Sequence, residues 1–205
     1  MILHDPKEIE KRSFEIIASE LPVSIPAENE LVVKRVIHAT ADFDFAENLC
    51  FSEHAVEKAL AALRCGCDIV TDTQMARSGI NKKILAALGG EAHCFMSDED
   101  VAAEAVRRGT TRAEVSMEKA AKLDKPCIFA IGNAPTALLA IYDLVVAGKL
   151  SPALVIGVPV GFVNIIEAKE KIMTLDIPYI VARGRKGGSG VAAAVCNALL
   201  YQIKR

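Results

Sequence analysis

Residues 127–159 read CIFAIGNAPTALLAIYDLVVAGKLSPALVIGVP, and the fold class follows from them. Cys127–Gly132 is a short apolar run that ends in Gly and Asn. Ala134–Ala147 carries a helical pattern, and Ala153–Pro159 is a second apolar run ending at Gly and Pro. A strand, a helix and another wholly apolar strand in succession imply parallel pairing, with the helix crossing over the sheet.

The same alternation extends outward in both directions. Val33–Ala39, Asp68–Asp72, Ala92–Met96 and Tyr179–Ala182 read as further strands. Pro6–Leu21, Ser52–Leu63, Asp98–Arg107, Arg112–Leu123, Val163–Thr174 and Gly190–Ile203 read as helices. Asp5 suits the N-cap of the first, with Pro6 in its opening turn. The expectation is a single α/β domain over residues 1–205, with an open, mainly parallel sheet and helices on both faces. Such doubly wound sheets bind ligands beyond the carboxyl ends of their strands. The segments just after each strand are therefore where chemistry is sought.

Composition supports this class. Of 205 residues, 52% are hydrophobic and only 5% aromatic, with no Trp, so Ala, Val, Ile and Leu fill the interior. The net charge of -2 argues against nucleic acid as a partner. No run approaches a membrane span. The opening MILHDPKEIEKR lacks the pattern of a secretory leader, so a cytoplasmic protein is expected. The six Cys include no C-x-x-C pair and read as buried thiols.

Polar, cationic and glycine residues concentrate at the strand ends. His38 follows Val36-Ile37 and is the one histidine at an expected strand end. An imidazole titrates near ~6.5 and can act as acid or base at cellular pH. By position alone it is equally a core histidine satisfied by a backbone carbonyl. His4 and His54 fall at helix starts, and His93 lies in a strand run without the spacing of a zinc site. No metal site is expected. Arg183, Arg185 and Lys186 precede Gly187-Gly188-Ser189-Gly190 at a helix start, a setting that favours an anion. The plain alternative is a flexible basic turn. Arg77 and Arg112 extend these cations into a dispersed set, suited to a ligand with several separated negative groups.

Several enzyme classes lack their signatures. G-x-x-x-x-G-K-[ST] is absent. Gly188-Ser-Gly190-Val-Ala-Ala193 fits G-x-G-x-x-A, but no further strand or acidic residue follows it, so a dinucleotide is not expected. No G-x-S-x-G elbow surrounds Ser78 or Ser189.

Six motifs in order resemble the precorrin-8X methylmutase family, the cobalt-precorrin-8 methylmutases included. They are Pro6-x-x-Ile9-Glu10-x-x-Ser13-Phe14, Val36-Ile-His38-Ala-Thr40-Ala-Asp42 and Thr71-Asp-Thr-Gln-Met75-Ala-Arg77-Ser-Gly79. Gly132-Asn-Ala-Pro135, Gly157-Val-Pro159-Val-Gly161-Phe-Val-Asn164 with Glu167-Ala-Lys169-Glu170, and Arg185-Lys-Gly-Gly-Ser189 complete the set. The resemblance spans nearly the whole chain. It implies an α/β homodimer that moves a methyl group from C-11 to C-12 of a corrin precursor, without a dissociable cofactor. It carries the catalytic acid onto His38, as imidazolium. The implied substrate is a tetrapyrrole, a large apolar macrocycle edged with carboxylates. Arg77, Arg112, Arg183, Arg185 and Lys186 are expected to meet the carboxylates. Ser13, Thr40, Met75, Ser78, Asn133 and Ser189 are expected to line the rest of the site. An oxidoreductase and a non-catalytic corrin carrier are the competing readings. A titrating acid in the pocket is what a carrier does not need.

Overall fold

A computed structural model describes residues 4–204. In chain order the elements begin with α1 (Pro6–Glu20), α2 (Ala27–Thr40), α3 (Phe45–Asn48), β1 (Leu49–Phe51), α4 (Ala55–Arg64) and β2 (Asp68–Thr71). Next come α5 (Gln74–Gly79), α6 (Lys82–Ala87), β3 (Ala92–His93), α7 (Glu99–Arg108), α8 (Arg112–Ala120) and β4 (Cys127–Ile131). The chain closes with α9 (Pro135–Val146), β5 (Leu154–Gly157), α10 (Ile165–Met173), β6 (Tyr179–Ala182) and α11 (Ser189–Ile203).

The strands form one sheet in the order β1-β6-β5-β4-β2-β3. Every neighbouring pair is parallel except β1 with β6. Side chains alternate along each strand, as the pleat requires. Ile69, Ile128, Ala130, Leu154, Ile156, Ile180 and Ala182 face the layer built from α2, α4, α5 and α11. Val70, Phe129, Ile131, Val155 and Val181 face the layer of α8, α9 and α10. Both faces are buried, which is why the strands read as unbroken apolar runs.

Two expectations needed correction. Val33–Ala39 is not a strand but the second half of α2. Val32, Val33, Val36 and Ile37 are the buried residues, a helical spacing, while Lys34 and Arg35 fall between them. The β-branched run imitates a strand, but its apolar residues do not alternate. The sheet instead gains β1, an antiparallel edge strand. Ser52 extends its ladder, since its N–H donates to Tyr179 O (3.0 Å) and its Oγ accepts from Tyr179 N (2.9 Å). The helix expected over Ser52–Leu63 therefore begins only at Ala55, after His54 in the left-handed region at φ 57°. Asp5 does cap α1, accepting from Lys7 N at 2.7 Å.

Candidate active site

From β2 the chain goes outward to β3 and returns across β2 to β4, so the direction of winding reverses between β2 and β4. A crevice at that point is where open α/β sheets seat ligands. In this chain it is filled from within. The buried Asp72 carboxylate accepts from the backbone N–H of Gly132 (2.8 Å), Asn133 (2.8 Å) and Ala134 (2.6 Å). Burial pushes the carboxyl above its ordinary value, while those three donors pull the other way. Thr73 caps α5 and also pairs its Oγ1 with Ser189 Oγ at 2.7 Å. A Cβ on Gly132 would lie 2.7 Å from Ser189 Cα, so only glycine lets α11 start this close to β4.

His38 lies in the last turn of α2, not at a strand end. The helix terminates at Ala41, in the left-handed conformation at φ 53°. The chain then turns through Asp42 and Asp44, whose carboxylates meet Lys186 Nζ at 2.6 and 2.5 Å. This clasp brings the end of α2 to the glycine-rich loop between β6 and α11. The two segments expected from sequence to share a site are therefore together, by a different route.

Around His38, α1 supplies two partners. Ser13 Oγ lies 2.8 Å from His38 Nδ1, and the Phe14 ring stacks at 5.5 Å between centroids. Arg35 stands 4.7 Å from the Phe14 centroid and pairs with Glu10. Desolvation, and secondarily the Arg35 charge, hold the imidazole below its usual value of 6.5. If the Ser13 hydroxyl donates to Nδ1, the ring proton sits on Nε2; in the other tautomer Nε2 is an acceptor. Either way Nε2 is the nitrogen left for a ligand. The Thr40 hydroxyl turns back to Val36 O (2.8 Å) and accepts from Asp42 N (3.3 Å), stiffening the helix end.

The five expected cations divide. Arg183 pairs with Glu170 (3.1 Å), Lys186 with Asp42 and Asp44, and Arg77 Nε donates to Ala92 O (2.8 Å). Arg112, exposed at the start of α8, and Arg185, whose guanidinium lies 5.5 Å from the Phe162 centroid, have no carboxylate partner among the described residues. Ser78 and Asn133 are exposed, and Ser189 is committed to Thr73. Met75 is 73% exposed at the end of β2, and Phe162 and Val163 are 83% and 75% exposed after β5. Large apolar side chains in solvent at strand ends offer a surface to an apolar ligand.

Two contributors were missed. Asp72 stood inside a quoted motif without a role. Lys169 is fully buried, and its Nζ donates to Gly184 O and Lys186 O, both at 2.9 Å. Burial alone lowers the amine to about 8. A signal for it existed: Ile165, Ala168, Lys169 and Ile172 fall on one helical face, so the pattern itself buries the lysine. The remaining histidines stand apart. His93 meets Asp68 at 3.1 Å, and His54 lies beside Glu53 and Glu57. Cys67, Cys94, Cys127 and Cys196 are buried as expected, whereas Cys65 is exposed. Burial pushes the thiol of Cys67 up to about 12. Among the described residues no helix is long and apolar enough to cross a membrane.

Comparison with known proteins agrees with this fold. Residues 8–202 match the family model for precorrin-8X methylmutase. A cobalt-precorrin-8 methylmutase from Priestia megaterium is 46% identical over 195 residues, covering 95% of this chain and 87% of that protein. A precorrin-8X methylmutase from Pseudomonas aeruginosa is 38% identical over 200 residues, covering 96% of each. The crystal structure of a precorrin-8X methylmutase from Thermus thermophilus superposes with a TM-score of 0.85 at 40% identity, covering 94% of this chain and 96% of that one. The chain belongs to the precorrin-8X methylmutase family.

Proposed function

We propose that this chain moves a methyl group from C-11 to C-12 of a precorrin-8 macrocycle, in the route to cobalamin, with His38 as its proton donor. The observation that carries the reading is the Ser13–His38 pair at 2.8 Å, set at the end of α2 beside a basic loop. A corrin precursor is broad and apolar, with carboxylates at its edge. Met75, Phe162 and Val163 suit its face, while Arg185 and Arg112 suit its rim. Arg77 and Arg183 join them by exchanging partners within the chain for carboxylates of the substrate, and Lys186 reaches one while still bridging Asp42 and Asp44. Thr40, Ser78, Asn133 and Ser189 border the same end of the sheet.

The reaction is an isomerisation, so no atom is gained or lost. Protonation of the conjugated ring near the migrating carbon polarises it, and the proton returns once the methyl group has moved. In the free protein His38 is held below 6.5, so its neutral form prevails at neutral pH. A bound polyanion reverses this, because nearby negative charge favours imidazolium. The pH profiles follow. The inflection due to His38 in kcat/KM lies below 6.5, and the corresponding inflection in kcat lies higher. In both, activity falls as pH rises through the inflection, because the acid loses its proton.

We infer that the chain works in the cytoplasm as one domain over residues 1–205, and as a homodimer. Support for the dimer comes from a groove of about 870 Å³ between α1, α2 and α11. It is lined by Phe14, Leu31, Ala198 and Tyr201 and does not include His38. Ile9, Ile16 and Leu31 are left in solvent nearby.

The deciding experiment is turnover of the methyl-migration precursor by His38→Ala. The expected loss is roughly 10²–10⁴-fold, with corrinoid binding retained. A variant with near-normal turnover sinks the assignment of the acid.

A further inference from the structure

The loop between β6 and α11 has an arrangement that its sequence does not announce. Three consecutive carbonyls are held on its inner side. Lys169 Nζ takes those of Gly184 and Lys186, and Gly161 N–H takes that of Arg185 at 3.2 Å. In a trans peptide the N–H points opposite to the C=O. The N–H groups of Arg185 and Gly187 therefore point away from Lys169, and that of Lys186 points away from Gly161. None of the three has an acceptor among the described residues, whereas the next one, Gly188 N–H, donates to Val158 O at 2.8 Å. The loop cannot rotate freely, since a Cβ on Gly187 would lie 2.1 Å from Val158 O. Successive N–H groups on one side of a loop form a concavity for an anion. A cavity of about 140 Å³, lined by Asp44, Asn48, Arg183, Gly184, Arg185 and Lys186, opens at the same place. It is far too small for a macrocycle and sized for one acidic side arm. The Asp44 charge there is already met by Lys186.

We propose that Lys169 is a positioning residue for substrate binding: by holding the Gly184 and Lys186 carbonyls inward, it presents the N–H groups of Arg185 and Gly187, with that of Lys186 set between them by the Gly161 contact, as a seat for one carboxylate of the substrate. The proposal rests on the carboxylate-edged substrate described above. Lys169 touches no substrate atom. It has no carboxylate partner among the described residues, so its buried donors serve the main chain alone. The lowered amine, at about 8, fits that isolation.

The test titrates the free-acid product corrinoid and its fully amidated form into the wild type, Lys169→Met, Lys169→Arg and Arg185→Ala. Turnover and melting temperature are measured on the same samples. Lys169→Met is expected to weaken free-acid binding on the order of ten-fold, about one charge-assisted hydrogen bond, and amidated binding by less than about two-fold. KM rises more than kcat falls, and Lys169→Arg restores part of the affinity. Should Lys169→Met not fold, Lys169→Gln is read the same way. Wild-type binding of both forms by the variant overturns the proposal. So does an equal loss of both forms together with a lowered melting temperature. Arg185→Ala tests the underlying reading separately. If it weakens free-acid binding while Lys169→Met does not, the role of Lys169 alone falls. If Arg185→Ala also leaves that binding unchanged, the basic loop is not a carboxylate site and both readings fall.

Discussion

Two buried charges at the same end of the sheet solve opposite problems. At the reversal between β2 and β4, the Asp72 carboxylate gathers three backbone N–H donors. Beyond β6, the Lys169 ammonium gathers two backbone carbonyls. Each charge is solvated by main chain rather than by an opposite charge, as a buried ion must be if it has no ion-pair partner. The consequences for ligands are opposite. Where a carboxylate consumes the N–H groups, nothing remains for an anion, and the crevice usual in this fold is sealed. Where an ammonium consumes the carbonyls, the N–H groups stay free. On the function proposed above, the site lies instead two strands along from β4, at the β6–α11 loop and the end of α2.

The largest expected effect tests the sealed side. Asp72→Ala strands three donors, those of Gly132 and Ala134 buried, and removing one partner from a buried charged network costs on the order of 3–5 kcal/mol. Chemical denaturation reads this directly. A loss under about 1 kcal/mol would mean that water replaces the carboxylate and that the crevice is not sealed by it.

Next comes the open side, read through pH. The Lys169 amine lies at about 8 against an ordinary 10.5. Between those values the unfolded chain binds more protons than the folded one, so stability rises with pH across that window. The contribution of this group is about 3 kcal/mol. Other groups titrate in the same range, so the informative quantity is the wild-type slope minus that of Lys169→Met. Equal slopes for the two proteins between pH 8 and 10.5 would show that burial does not lower the Lys169 amine, which then stays charged across that window.

The smallest effect concerns the tie between the two regions. Thr73 Oγ1 and Ser189 Oγ, 2.7 Å apart, join the end of β2 to the start of α11. Ser189→Ala should cost about 0.5–1.5 kcal/mol in stability, the worth of a typical hydrogen bond. Turnover should stay within about three-fold of wild type, because in the structure Ser189 serves the scaffold. A loss of turnover as large as that of His38→Ala would return Ser189 to the substrate.

Much of this protein was legible in its residues. Strand–helix alternation with apolar strands dictated a parallel sheet covered on both faces, because only burial on both sides tolerates runs such as Cys127–Ile131. Six motifs in register identified the family, and the cluster of polar and glycine residues at strand ends marked which end of the sheet to search. The placement of His38 was not legible. A β-branched heptad such as Val33–Ala39 satisfies a strand about as well as half a helix when only neighbours in sequence are weighed. The packing of α2 against α11 and α1 decided the question. The partners of the charges were hidden for the same reason. Asp72 meets main chain about 60 residues onward, Lys186 meets Asp42 and Asp44 more than 140 residues before it, and Arg183 meets Glu170 on another element. Local pattern reports which face of an element is apolar. Which polar groups a buried charge will find depends on distant segments brought together by burial, and that only the tertiary structure decided.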